Sequence, residues 1–152
     1  MNWRLRLWPL ARPLVQTLFR WRRGMTLGVR GVVLDMEGRV LLVEHSYLPG
    51  WHLPGGGVER GEDAETALAR EMAEEGGVRL TAPARLVSIH ADHGQFRGDH
   101  VLLYRAVAWT PCASDSAGEI VRTGWFTPHA LPPQTGQKTR DWIVEALGGT
   151  EE

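Results

Sequence analysis

Residues 50–78 read GWHLPGGGVERGEDAETALAREMAEEGGV, and the reading of this stretch decides the fold. Ala64 to Glu75 is built of strong helix formers and closes on Gly76-Gly77, a helix-stop pair. On a wheel at about 100° per residue, Ala64, Ala67, Leu68, Glu71, Glu74, Glu75 and Val78 share one side, while Asp63, Thr66, Arg70 and Ala73 lie away from it. The apolar, inward face of the helix therefore becomes three carboxylates in its last turn. Like charges four residues apart repel, acids near a helix C-terminus oppose the macrodipole, and burial adds a desolvation cost. A divalent cation reverses the sign of all three penalties, because hard Mg²⁺ or Mn²⁺ seeks oxygen ligands. The alternative is a solvated acidic face, but that orientation drags Ala67, Leu68 and Val78 into water and leaves the helix without a core side.

Ahead of the helix, Pro54-Gly55-Gly56-Gly57 places three residues without side chains in a row, beside the acids, where backbone can approach a ligand closely. Gly56, Glu62, the pair Arg70-Glu71, apolar Met72, the pair Glu74-Glu75, Gly77 and Val78 complete a pattern over residues 56–78. This pattern resembles the Nudix box at all its fixed positions. The lead-in Gly50-Trp51-His52-Leu53-Pro54-Gly55 is also similar to that family, and the resemblance covers residues 26–147.

The resemblance implies an α/β (α+β) fold, an α/β/α sandwich around a central mixed β-sheet, in which the box forms a loop-helix-loop that holds Mg²⁺ or Mn²⁺. By position, Glu71, Glu74 and Glu75 are implied metal ligands, Glu74 also having a catalytic part, and a backbone carbonyl of Gly55-Gly56 completes the shell. Arg70 is implied to orient the glutamates through charge-assisted pairs and Glu62 to anchor the loop. Gly56, Gly57 and Trp51, the tryptophan nearest the loop in sequence, are the expected substrate-binding residues. The implied reaction is metal-assisted attack of water on phosphorus in a nucleoside diphosphate derivative, with no covalent enzyme intermediate. Glu119, six residues before Trp125, is the candidate general base. Many relatives carry a second acid three residues before that tryptophan; here the position is Arg122.

Outward from the box, the chain of 152 residues, 43% hydrophobic, suffices for one core. Thr26 to Leu34 and Arg39 to His45, joined by a turn at Asp35 to Gly38, read as a hairpin. Tyr47 to Gly61 reads as loop, with further strands at Ala84 to His90, Val101 to Ala108 and around Trp125-Phe126, and a closing helix at Lys138 to Leu147. The polar loop Ala91 to Asp99 carries Phe96 and Arg97, which could stack on a base or touch a phosphate. His90, Asp92, His93, Asp99 and His100 do not make a second metal site on this reading, since a strand end and a loop give the ligands no fixed face.

Two domains are expected: residues 1–24, a basic amphipathic helical extension after Pro13, and residues 25–152, the hydrolase domain. The extension holds six arginines and no acid, so the body of the chain is acidic although the formal net charge is only −1. Arg12 and two prolines interrupt its apolar residues, so it is read neither as a spanning segment nor as a signal peptide. It packs on the domain or on a second subunit of a homodimer; the alternative lays Trp3, Trp8, Leu14 and Phe19 on an anionic membrane surface. The single Cys112 fits a reducing, cytoplasmic setting. The expected partner is a small-molecule nucleotide, not DNA. The rival functions are a non-catalytic nucleotide-sensing module, which the complete box disfavours, and an RNA 5′-end pyrophosphohydrolase, which the acidic body disfavours.

Overall fold

The computed structural model describes residues 24–92 and 98–148. All of the expected extension at residues 1–24 except Gly24, together with Phe96 and Arg97, lies outside the described residues. The chain runs through β1 (Thr26–Val32), β2 (Val40–His45), β3 (Trp51–His52), α1 (Ala64–Glu74), β4 (Val78–Leu80), β5 (Arg85–Ala91), β6 (Asp99–Arg105), β7 (Trp109–Pro111), β8 (Ile120–Phe126) and α2 (Gln137–Gly148). One sheet has the order β1-β6-β5 and is mixed, with β1 parallel to β6 and β5 antiparallel to it; a second, β3-β2-β8, is antiparallel; β4 and β7 form a short ribbon.

Strand alternation sorts the core onto two faces. Val29, Val33, Leu41, Leu102 and Tyr104 pack with Ala67, Leu68 and Met72 of α1. Val32, Val40, Leu42, Val101 and Leu103 pack with Trp142, Ile143 and Ala146 of α2. Sheets between two helices are the α/β/α arrangement that the box resemblance implied. Both sides of β1, β2 and β6 are thus consumed by core. The strands read as near-continuous apolar runs for this reason.

The expected hairpin forms only at its tip. Asp35 N–H donates to Arg39 O, Gly38 N–H to Asp35 O, and Leu34 bridges Val40, but beyond Val33 and Leu41 the strands part into different sheets. The edge of β1 that a hairpin partner would take is occupied by the glycine loop. Val29 N–H donates to Gly56 O, Gly31 N–H to Pro54 O, and Val58 N–H to Leu27 O. With β6 on the other side, β1 has no ladder positions left for β2.

Asp63 caps α1 by accepting from Thr66 N–H at 2.7 Å, and Gly77, at φ 63°, reverses the chain after Glu75. The buried arc of the helix is Ala67, Leu68, Glu71 and Met72, continued by Glu75. It is therefore rotated slightly from the wheel reading. Met72 is core and Glu74 sits on the rim, because β1 approaches so closely that a Cβ on Gly31 would stand 2.6 Å from Met72 Sδ. Val78 is buried as expected, but as the first residue of β4 rather than part of the helix. Among the described residues no helix is long and apolar enough to cross a membrane.

The glycine loop makes a sharp prediction. Gly55 has φ 147°, and a Cβ there would fall 2.0 Å from Val29 O, whereas nothing lies within 4 Å of one on Gly57. Gly55→Ala should lose at least about 2 kcal/mol of unfolding free energy and Gly57→Ala stay within about 0.5 kcal/mol of the parent, measured by urea titration.

Candidate active site

Glu71 and Glu74 of α1 and Glu75, which caps its C-terminus, occupy three different environments. Glu71 is 8% exposed and Glu75 5%, while the Glu74 side chain is 43% exposed. Arg70 ties the first part of the box together. Its Nε and Nη2 donate to the two oxygens of Glu62 at 2.9 and 3.0 Å, its Nη1 to Glu71 Oε1 at 2.8 Å and Glu74 Oε2 at 3.4 Å, and its Nη2 to Gly57 O at 3.2 Å. Glu62 also accepts from Glu59 N–H at 3.0 Å, which fastens the loop to the start of the helix. These hydrogen bonds hold the Glu62 carboxyl below its ordinary range and push the Arg70 guanidinium further up.

Glu75 is held differently. Its Oε2 accepts from Gly55 N–H at 3.0 Å, and its Oε1 stands 3.7 Å from His45 Nδ1. Burial pushes the Glu75 carboxyl up to about 7, against the lowering effect of the Gly55 bond and the Arg30 charge. Burial, helped by Arg30 and His52, takes His45 down to about 4, so at neutral pH its imidazole is uncharged and the contact with Glu75 is no ion pair. The His45 Nδ1 is left buried with no hydrogen-bond partner among the described residues. Burial also raises Glu71, with Arg70 opposing.

Glycine lets the loop lie close against the helix. A Cβ on Gly56 would stand 2.4 Å from Glu71 Oε1, so backbone lies directly against the carboxylate. The carbonyl of Gly55, expected as a ligand, accepts from Arg30 Nη1, and that of Gly56 accepts from Val29 N–H at 2.9 Å. Among the described residues no three His, Cys, Asp or Glu side chains converge as a ready cage. Glu71 and Glu75 each have one oxygen committed to a protein donor.

Two connected cavities open on these carboxylates. One of about 440 Å³ is lined by Glu59, Arg70, Glu71, Glu74, Glu75 and Asp115, with Glu119 on its wall. The other, of about 470 Å³, shares Glu71, Glu75 and Glu119 and adds Arg30, His45, Tyr47, Gly55, Gly56 and Gly57. Glu119 reaches this position from the turn before β8, where Ala117 at φ 48° and Gly118 at φ 83° bend the chain and Glu119 O accepts from Ser46 N–H.

Trp51, an expected substrate contact, lies elsewhere. It is buried in the core on the α2 side, edge-on to Phe126 at 4.8 Å and beneath the Arg122 guanidinium, and it lines none of these cavities. Arg122 pairs with Glu44 across β2 and β8, so the position where relatives carry an acid here serves the outer face of the sheet. His90 shares its Nε2 between Ser88 and Glu145, Asp92 pairs with Lys138, and Asp99 accepts from Thr26 Oγ1. These three members of the set-aside histidine-aspartate group thus make separate contacts, and His93 lies outside the described residues. Residues that sequence reasoning passed over include Arg30, His45 and Tyr47. Arg30 had a visible signal, being the only charge inside the strand TLGVRGV.

An acidic loop-helix-loop on an α/β/α sandwich defines a phosphoanhydride hydrolase of the Nudix type. The NUDIX domain matches residues 24–147, and the chain belongs to that family. It is 28% identical over 124 residues to a MutT-like protein of Streptomyces ambofaciens, covering 82% of this chain and 78% of the relative. It is 29% identical over 128 residues to an 8-oxo-dGDP phosphatase of Mus musculus, covering 82% of this chain and 38% of that protein. Among solved structures, the MutT NUDIX hydrolase from Burkholderia pseudomallei superposes with a TM-score of 0.67 at 28% identity, covering 79% of this chain and 96% of that one.

The elevated Glu75 carboxyl has a consequence for metal-free protein. Its folded-state value of about 7 lies above the ordinary 4.5, so the folded chain holds a proton that the unfolded chain releases. The associated stability is complete below about pH 4.5 and is lost as pH rises through about 7. Glu75→Gln cannot ionise. In chelator, the parent should therefore fall relative to this variant between pH 5 and pH 8, by about 1–3 kcal/mol at the upper end, read by thermal or urea unfolding.

Proposed function

We propose that the protein is a Mg²⁺- or Mn²⁺-dependent pyrophosphohydrolase of nucleoside di- or triphosphates. The observation that carries this reading is the pair of buried carboxylates, Glu71 and Glu75, pressed against a side-chain-free loop and open to acidic cavities. The donor set fits the ion. It consists of hard carboxylate oxygens, and burial raises the protonation of both groups, so a cation would offset an electrostatic cost that the protein carries without it. Glu71, Glu74 and Glu75 would hold the metal, with the remaining lone pair of Gly55 O within the same loop. A bound divalent cation supplies neutralisation of diphosphate oxygens and a lowered pKa of a coordinated water.

The chain's own residues do the rest. Arg70 positions Glu71 and Glu74 by donating to both, and its bonds to Glu62 and Gly57 fasten the loop at a fixed distance from the helix. Glu119, the exposed carboxylate on the wall shared by both cavities, is the candidate to accept the proton of the attacking water. Gly56 and Gly57 present backbone rather than side chains to the cavity that receives the phosphates. The names of the MutT-like and 8-oxo-dGDP phosphatase relatives support placing oxidised guanine nucleotides first among the substrates to be tried.

Incubation of a nucleotide panel with Mg²⁺ or Mn²⁺ should release phosphate or pyrophosphate, identified by chromatography of both products. Glu75→Gln and Glu74→Gln should each lower kcat by about 100-fold or more while the fold is retained. Unchanged turnover in both variants would refute the site, and tight nucleotide binding without turnover under either metal would favour the sensing module.

Glu119→Gln should lower kcat by about 100-fold or more while leaving metal affinity within about threefold of the parent. A kcat unchanged from that of the parent would exclude Glu119 as the base.

A further inference from the structure

Arg30 is a charge that the carboxylate chemistry does not use. We infer that it is the substrate's phosphate clamp: the guanidinium binds the phosphate next to the sugar, where two cavities meet, and so sets which phosphorus faces Glu71 and Glu75. This rests on the hydrolase reading above.

The placement is rigid. Val29 and Val32 beside it are fully buried, Arg30 is in register with Leu103 of β6, and Val29 and Gly31 are hydrogen-bonded to the glycine loop. From this strand the Arg30 Nη1 donates to Leu53 O at 3.3 Å and to Gly55 O. Two backbone carbonyls orient the guanidinium plane without neutralising it. Among the described residues the Nε and Nη2 donors remain, and no carboxylate lies within the 4.0 Å of an ion pair. A half-buried arginine is ordinarily paired. Here the anion is left to be supplied by something that enters.

The surroundings say what that anion is. Arg30 lines the cavity of about 470 Å³ together with Glu71, Glu75, Asp99 and Glu119, and it is the only Lys or Arg among its described lining residues. It also lines a second cavity of about 230 Å³, where Leu48, Leu53, Val101 and Trp142 form an apolar wall and Asp92, Asp99, His52 and Lys138 a polar one. A group bound to Arg30 therefore has Glu71 and Glu75 on one side and, on the other, a chamber with an apolar wall edged by Trp142 and polar groups at Asp92, Asp99 and Lys138. A nucleoside 5′-phosphate matches this order of environments, with its phosphate at Arg30 and its base in the smaller chamber. The planar fork of arginine suits a phosphate oxygen pair, which a point-charge lysine serves less well.

The competing role is purely structural, a staple that holds Leu53 and Gly55 in place. Binding of deoxyguanosine 5′-monophosphate and of deoxyguanosine, measured in chelator by isothermal titration, separates the two for the parent, Arg30→Lys and Arg30→Met. The clamp requires the parent to bind the monophosphate more tightly than the nucleoside. Arg30→Met should weaken monophosphate binding ten- to hundred-fold and Arg30→Lys less, with nucleoside affinity within twofold throughout. If Arg30→Met does not fold, the smaller, phosphate-selective loss in Arg30→Lys carries the test. A parent that binds the monophosphate no better than the nucleoside, or a variant in which both affinities fall together, overturns the clamp. Turnover plays no part in this measurement, so its failure is distinguishable from failure of the substrate panel.

Discussion

The whole structure depends on one close approach, that of the Pro54–Val58 backbone to β1 on one side and to the carboxylates of α1 on the other. Gly55 lies against Val29 O and Gly56 against the Glu71 carboxylate, both nearer than any Cβ allows. By bonding to Leu27, Val29 and Gly31, the loop replaces a neighbouring strand, sends β2 into the second sheet and opens the space between the sheets where the cavities lie. The same loop donates Gly55 N–H to Glu75. Fold and site are therefore set by a single contact that only glycine permits.

Electrostatically, the site is divided between what the protein satisfies by itself and what it leaves open. Arg70 satisfies Glu62 and one oxygen of Glu71, so this part of the box is rigid without any ligand. Among the described residues, Glu75, His45 and Arg30 are left short of partners: a carboxyl raised by burial, an imidazole nitrogen without a hydrogen bond, and a guanidinium held by neutral carbonyls. Stability given up at buried polar groups is characteristic of functional sites. The imbalance has two signs, acidic toward α1 and basic at β1, which is the polarity a metal-bound polyphosphate would compensate.

Much of this was legible in the chain. The helix, its stop at Gly76-Gly77 and the shared face of its carboxylates follow from propensity and 3.6-residue periodicity, which are local. Misreadings arose where a local rule met a non-local competitor. Residues 26–34 and 39–45 look like a hairpin because a turn joins two β-branched runs, yet β1 spends its free edge on a loop distant in sequence. Trp51 adjoins the glycine loop in sequence but is turned to the opposite face by β3, since strand neighbours alternate sides. The two- and three-residue strands β3, β4 and β7 are too short to show a period at all.

By itself, then, the sequence determined the family, the carboxylate-bearing helix face and the glycine run beside it, because each is written in spacings of a few residues. Only the tertiary structure decided which glutamate is buried and which sits on the rim, that His45 faces Glu75, and that Arg30 of the first strand stands between the two cavities. Those facts depend on how β1, the loop and α1 meet, and residues separated by some twenty to forty positions carry no local mark of their meeting.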